Sequence, residues 1–444
     1  HAGSQQSNGV QVGAIAAPIL HKDYQAAKLH FAKYLPTVEF SENLPKIVQQ
    51  MGLIDGVHPN SDASRWTLYR GRSLPSVSHI PVGYTSNYPK PKFTCRETQI
   101  AHYFRDFGVP EYSKPYAGKA CEQTGYMSPD VKRLDNMIDN GYIYELSGIT
   151  AVRAMLSRLP IPTERYSPTE FYNTVAGHPD NVFWNGKDTS TSIGAELRAL
   201  GLTKDTAYVK EGDGWTLHPI LKPMFEAYDA EIRSGTALPM GFMSASRKDE
   251  AIKKEKADKG SARYFYVGCW LRGLVMRKYF LPIAGYIMAH PKETHCVVAI
   301  NPMSYQWGEL YSSFDPCGSN CWDGDHAAFD IRQNSTIYYY ALYMKELSRM
   351  LGYTNEESDC LVRVIMASKR YCLEMSGCVY VCDAGTCSGL PDTIIRNSIV
   401  NAFVHYYALA RIGHLKPVEV TMENGRPRYQ SEEAKNSIVL ACTG

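Results

Sequence analysis

Three carboxylates fall within one short stretch, Asp323-Gly324-Asp325-His326-Ala327-Ala328-Phe329-Asp330. Asp325 reads as the end of a short strand, and Asp330 follows with four residues between them. Carboxylate oxygens are the hard donors that Mg²⁺ takes alongside the waters it keeps. Alone, Asp-x-x-x-x-Asp is equally the pattern of solvated turn residues. A second polar group lies sixty residues on, in Gly-Thr-Cys-Ser-Gly-Leu-Pro-Asp-Thr-Ile-Ile-Arg-Asn over 385–397. This is a glycine-containing loop that runs straight into a helix. Thr393 and Asn397 are one helical turn apart and share a face. Gly389 permits a conformation or a close approach that a Cβ would block. Ser388 or Asp392 as an ordinary helix cap accounts for the loop, but leaves the face carrying Thr393 and Asn397 unexplained.

Two upstream stretches carry groups suited to phosphates. Thr191, Ser192 and Gly194, in Asp-Thr-Ser-Thr-Ser-Ile-Gly, offer hydroxyl and backbone N–H donors at a turn. Lys248, Lys253, Lys254, Lys256, Lys259 and Arg263 place six basic residues in sixteen, the densest positive run in the chain. Asp249, Glu250, Glu255 and Asp258 interleave with them, so a solvated charged helix face is the competing reading.

The elements that would position these groups follow from periodicity and punctuation. Apolar and aromatic residues from Ile337 to Tyr343 predict a helix after the acidic stretch, and the loop at 385–392 leads into a helix continuing to Arg411. Tyr264 to Val267 reads as a strand, and roughly 129–158 as core helix. Residues 416–426 read as a polar loop, and 437–444 as an apolar strand ending in glycine. The Pro- and Tyr-rich text from Pro81 to Pro115 predicts surface segments rather than regular core elements.

Composition bounds the chemistry. The 444 residues are 44% hydrophobic and 21% charged, ordinary for a globular chain of two or three domains. A net charge of +2 means that any nucleic-acid site is a local patch and not a global field. The twelve cysteines lack paired short spacings, which favours reduced thiols over a disulfide framework. Cys378, Cys382 and Cys387 have no fourth ligand nearby for a zinc site. The most apolar stretch, around 264–289, is broken by Arg272, Arg277 and Lys278, so no transmembrane run is expected.

Taken together, the acidic stretch and the Ser-Gly-x-x-x-Thr-x-x-x-Asn loop-helix resemble motifs A and B of the RNA-dependent RNA polymerases of picornavirus-like positive-strand RNA viruses. Thr191, Ser192 and Gly194 resemble motif G, which guides the template, and Lys248, Lys256 and Arg263 resemble motif F, which lines the nucleotide channel. Ile252 and Ser261 stand where close relatives usually carry a basic residue. Asn301-Pro302 and Trp307-Gly308-Glu309-Leu310 precede motif A as in the family, and the run ending at Gly444 resembles the first half of motif C, whose glycine is followed by two aspartates.

The resemblance implies an α+β right-hand polymerase with fingers and a partial palm, an antiparallel sheet backed by helices, and with the thumb missing. It divides the chain into a viral cysteine-protease tail over 1–20, from His1-Ala2-Gly3-Ser4 and the run Gly9-Val10-Gln11-Val12-Gly13-Ala14-Ile15-Ala16, a linker or processing region over 21–75, fingers over 76–300, and palm over 301–444 truncated at motif C. Asp325 is then the ligand for Mg²⁺ or Mn²⁺, with Asp323 or Asp330 assisting. Asp330, Thr393 and Asn397 read the ribose, since the 2′-OH is what separates RNA from DNA there. Ser388 and Gly389 form a flexible loop near the priming pair. Implied partners are an RNA template and primer, NTPs, a protein primer and other viral replication proteins. The implied location is host cytoplasm, in membrane-associated replication complexes. Two-metal transfer needs carboxylates from motif C as well, so the chain ending at Gly444 is expected to be inactive alone. A reverse transcriptase shares the palm but typically lacks the Asp330-type residue. A non-catalytic viral RNA-binding protein remains the alternative, in which only the basic segment matters.

Overall fold

The computed structural model describes 38–40, 79–85, 94, 96, 98–105, 107–108, 111–113, 130 and 133. From 143 onward it describes all residues except 188–190, 213, 236–240, 260, 319–322, 327, 334, 370, 376–377, 383–384, 438–439 and 443–444. The segment read as a protease tail lies outside the described residues, as does most of the stretch read as a linker.

The main sheet has six strands: β1 (Val38–Phe40), β2 (His79–Thr85), β3 (Gly241–Arg247), β4 (Tyr264–Val267), β5 (Tyr371–Met375) and β6 (Cys378–Cys382), in the spatial order β1-β2-β6-β5-β3-β4. All neighbours are antiparallel except β3 and β5, which run parallel with Gly241 opposite Tyr371. The sheet is therefore mixed, and it joins segments on both sides of residue 300. All five residues of β5 are buried, as expected for a central strand covered on both faces.

Two readings change here. Val38–Phe40, inside the presumed linker, is the edge strand of this sheet. Pro81, taken as a mark of irregular surface chain, lies inside β2. The β2–β6 register slips between Val379 and Tyr380, opposite Gly83 and Pro81, so a bulge sits at the proline that cannot donate to the ladder.

Among the described residues six principal helices pack against one another: α1 (Glu145–Leu156), α2 (Leu221–Ser234), α3 (Trp270–Ala289), α4 (Thr336–Leu351), α5 (Asn355–Ala367) and α6 (Thr393–Arg411). The apolar stretch around 264–289 becomes β4 and then α3, which is buried along most of its length. Its cations are absorbed locally: Arg272 stacks over the Tyr228 ring, Arg277 donates to the Thr174 carbonyl and Lys278 pairs with Asp229 at 2.6 Å. Among the described residues, no helix is long and apolar enough to cross a membrane. The predicted aromatic helix is α4, whose buried face (Ile337, Tyr340, Tyr343, Met344, Leu347, Leu351) follows the helical period. A capping box on Thr354 and Glu357 starts α5.

The stretch read as a polar loop is a β-hairpin, β7 (Glu419–Glu423) and β8 (Arg426–Gln430). Asn424 and Gly425 both adopt positive φ, 53° and 77°, the backbone that a two-residue turn between twisted strands demands. The buried Arg426 anchors this hairpin by donating to the Pro162 carbonyl at 2.7 Å.

Candidate active site

The acidic stretch departs from expectation in its backbone. Residues 323–326 form no strand; Asp323 and Asp325 lie on an irregular, exposed segment. A 3-10 turn over Phe329–Arg332 then carries Asp330 and buries Ile331. His326 stacks on Phe329, with ring centroids 4.7 Å apart, and its Nε2 lies 3.2 Å from Asn401 Oδ1 on α6. The segment carrying Asp325 is thus fastened one helical turn beyond Asn397, on the same helix.

Asp330 and Asn397 are brought into one hydrogen-bonded network. The backbone N–H of Thr386 donates to the Asp330 carbonyl at 2.5 Å. The Thr386 hydroxyl donates to Gln333 Oε1 at 2.9 Å, and Gln333 Nε2 donates to Asn397 Oδ1 at 2.7 Å. Gln333 and Thr386 are both buried. The Asp330 carboxylate accepts from Arg133 Nη2 at 2.5 Å. Burial works against the Arg133 charge, but Tyr266 and Asp330 outweigh it and raise its pKa. Arg133 Nε also donates to the Tyr266 hydroxyl at 3.0 Å.

The loop before α6 is pinned on every side. The Tyr266 N–H donates to Ser388 Oγ at 3.1 Å. A Cβ at Gly389 would overlap the Tyr266 carbonyl oxygen, so the residue identity follows from this backbone approach. Thr393, expected to face the sugar, donates its hydroxyl to the Cys387 and Leu390 carbonyls at 2.8 and 2.9 Å and closes the loop onto the helix. Asp392 is the first residue outside α6, yet its carboxylate makes no cap; it pairs with Arg396 at 2.6 Å. The Cys387 thiol is pushed up to about 12, first by burial, and is a packing group rather than a nucleophile or ligand at neutral pH.

The phosphate-suited stretches meet the same loop. Gly194, at φ 88° and ψ 167°, has a backbone that essentially only glycine adopts. Added there, a Cβ would lie 2.6 Å from the Gly268 carbonyl oxygen, just past β4. The Gly194 N–H donates to Ser192 Oγ at 3.3 Å, while Thr191 and Ser192 are exposed. In the basic run, Lys254–Asp258 is a short helix. Several of its cations are paired: Lys254 with Glu111, Lys259 with Glu255 and Arg263 with Glu250. The Lys248 N–H donates to the Arg263 carbonyl at 2.9 Å, and Lys256 is exposed. The motif-like glycines and Ser388 therefore converge around the end of β4, and the lysines lie at its other end.

The sequence reading missed Arg133, Gln333, Thr386, His326 and Asn401. The last four flank recognised positions closely enough that the loop and 3-10 geometry would have implicated them. Arg133 comes from a distant segment with no pattern to mark it.

The family model for viral RNA-dependent RNA polymerase matches residues 164–424. The chain belongs to that family. The RNA1 polyprotein of tomato torrado virus is 29% identical over 366 residues, covering 77% of the chain, and that of cowpea mosaic virus is 29% identical over 321 residues, covering 68%. The chain spans only 16% of the length of each of these polyproteins. A sicinivirus 3Dpol RNA-dependent RNA polymerase matches with a TM-score of 0.56 at 16% identity, covering 78% of this chain and 71% of that one. The fold is thus that of a right-hand viral polymerase of mixed helix and strand content. The family uses divalent metal ions, RNA templates and nucleotides.

Proposed function

We propose that this chain forms the fingers and much of the palm of an RNA-directed RNA polymerase that copies a viral RNA genome from NTPs. The network that joins Asp330 to Asn397 through Thr386 and Gln333 is the observation that supports it most directly. It ties the backbone of Asp330 to the carboxamide of Asn397, residues more than sixty positions apart, and so supports reading the two as one site.

Asp325, with Asp323 beside it, would hold Mg²⁺ or Mn²⁺. The donor chemistry fits: both are exposed carboxylates, and Mg²⁺ needs only one or two such ligands besides waters and substrate phosphates. Among the described residues no group of three His, Cys, Asp or Glu converges, and waters and substrate phosphates would supply the other ligands. Bound there, the ion supplies Lewis-acid stabilisation of charge on the transferred phosphoryl group. The chain's own residues do the rest. Lys248, Lys256 and Arg263 line the route of the triphosphate and offset its charge, while Asp330 and Asn397 read the ribose. Thr393 and Ser388 hold the loop that carries Gly389, and Thr191, Ser192 and Gly194 guide the template. A protein primer, other replication proteins and a membrane-associated replication complex in the host cytoplasm complete the reading.

Asp325→Asn in the natural full-length polymerase tests this. Templated NTP incorporation should fall at least about a thousandfold, with unfolding unchanged because the side chain is exposed. Incorporation at the wild-type rate would overturn the assignment and favour a non-catalytic RNA-binding protein.

A further inference from the structure

We infer that Gln333 and Thr386 are positioning residues that fix which end of the Asn397 carboxamide is offered to the substrate sugar; this rests on the polymerase reading. A carboxamide has two unlike ends, an acceptor oxygen and a donor nitrogen, and either could face a ligand. Here the choice is made by a relay. The Thr386 hydroxyl donates to Gln333 Oε1 at 2.9 Å, and the other arm of Gln333, its Nε2, donates to Asn397 Oδ1 at 2.7 Å. One lone pair of the Asn397 oxygen is thereby engaged on the Gln333 side, which leaves its Nδ2 as the donor for a ligand. Gln333 and Thr386 are 3% and 2% exposed, so water does not compete to reverse the relay. Thr386 is itself held by its backbone N–H on the Asp330 carbonyl.

This polarity has a chemical consequence. A donor from Asn397 and an acceptor carboxylate from Asp330 are complementary to a group that both accepts and donates. A ribose 2′-OH does both, and a 2′-deoxy carbon does neither. With Asn397 turned over, the site would present two acceptors, and a single hydroxyl proton cannot satisfy both. The relay thus converts a merely polar pair into one selective for a hydroxyl, and sites built to hydrogen-bond a hydroxyl reject analogues lacking it strongly.

The test is the ratio of kcat/KM for a ribonucleotide against its 2′-deoxy counterpart, measured by primer extension with the natural full-length polymerase. General structural damage lowers both values and leaves the ratio. Gln333→Met keeps length and removes the donor; Thr386→Val keeps shape and removes the hydroxyl. Each should lower the ratio at least about tenfold, the scale of one misdirected hydrogen bond. Thr386→Ser, which retains the hydroxyl, should restore it. Thermal unfolding identifies any variant that has not folded, and the Thr386 pair carries the test if Gln333→Met fails. A wild-type ratio in folded Gln333→Met and Thr386→Val, from an enzyme that polymerises normally, would overturn the relay. No templated product from the wild type would overturn the polymerase reading and this inference with it.

Discussion

Arg133 Nη2 lies 2.5 Å from Asp330 Oδ2, which ties a residue of the chain's first third to the carboxylate assigned to ribose reading. The same guanidinium donates through Nε to the Tyr266 hydroxyl and stands 5.6 Å from that ring's centroid. The two arms of one planar fork thus serve two different partners, a geometry lysine cannot copy. Both partners of the ion pair retain some exposure, so its full buried worth does not apply. Arg133→Ala should cost about 1–3 kcal/mol of stability and raise the KM for NTP by freeing Asp330. Arg133→Lys should recover less than half of either effect. Urea unfolding and primer-extension kinetics check the two halves, and equal recovery by lysine would count against the fork.

Gly389 and Gly194 both meet the end of β4, one against the Tyr266 carbonyl and the other against that of Gly268. They differ in what a methyl group would do. At Gly194 the backbone itself is strained for any other residue, so Gly194→Ala should destabilise by about 1–3 kcal/mol in urea unfolding. At Gly389 φ is not positive, so the obstacle is the approaching backbone of Tyr266 and Gly268, and a methyl group displaces the loop rather than straining its own backbone. Gly389→Ala should therefore lower templated incorporation by about a hundredfold while moving the unfolding midpoint less than Gly194→Ala does. The reverse ranking would remove the case for this approach as the reason for glycine.

Arg396 and Asp392 are completely buried at the start of α6, with Nε and Nη2 both donating to Asp392 Oδ2 at 2.8 and 2.6 Å. Nη2 also donates to Ser368 Oγ just past α5, and the guanidinium faces the Tyr340 ring on α4. The pair thus joins three helices. Removing one partner leaves a charge with no water to solvate it, and Arg396→Met should cost about 3–5 kcal/mol. Arg396→Met with Asp392→Leu should cost less than the sum of the two single changes, because neither charge is then stranded. A double-mutant cycle by chemical denaturation measures this, and strict additivity would refute the coupling.

The two motifs with strong local signals were legible in the sequence. Gly389 could be read because a glycine in the loop leading into a helix permits a close backbone approach that a Cβ would block. Asp330 and Asn397 could be paired only through the resemblance to motifs A and B, which implies that both read the ribose. What failed to show was whatever depended on distant partners. Thr393 reads as sugar-facing from helical spacing alone, and only the fold shows its hydroxyl turned back to the Cys387 carbonyl. Asp325 reads as a strand end, but its backbone at 323–326 follows the tether of His326 to Asn401 and not local propensity. Asn424-Gly425 is a plain hairpin signal, and Val420 and Met422 alternate with polar residues before it; the charged residues around them mask the strand, which is exposed throughout.

His295 is buried at φ 61°, with Nε2 2.9 Å from the Tyr406 hydroxyl on α6 and Nδ1 3.3 Å from the Leu440 carbonyl. Its backbone carbonyl accepts from Cys442 N–H, so the residue clamps the chain's last described strand-like segment against α6. Burial first, then the nearby Arg158 charge, lowers its pKa from 6.5 to about 3. Between those values the unfolded chain takes up a proton that the folded chain refuses, so stability rises with pH across the window. The contribution is fully present above about pH 6.5 and is lost as pH falls toward 3, with a slope approaching 1.4 kcal/mol per pH unit. The His405 imidazole, also lowered by burial, adds in the same direction. His295→Asn tolerates the left-handed backbone and cannot titrate. Its unfolding free energy between pH 4.5 and 8 should therefore fall less steeply toward acid than that of the wild type. Parallel profiles would show that His295 is not the group that couples this clamp to protons.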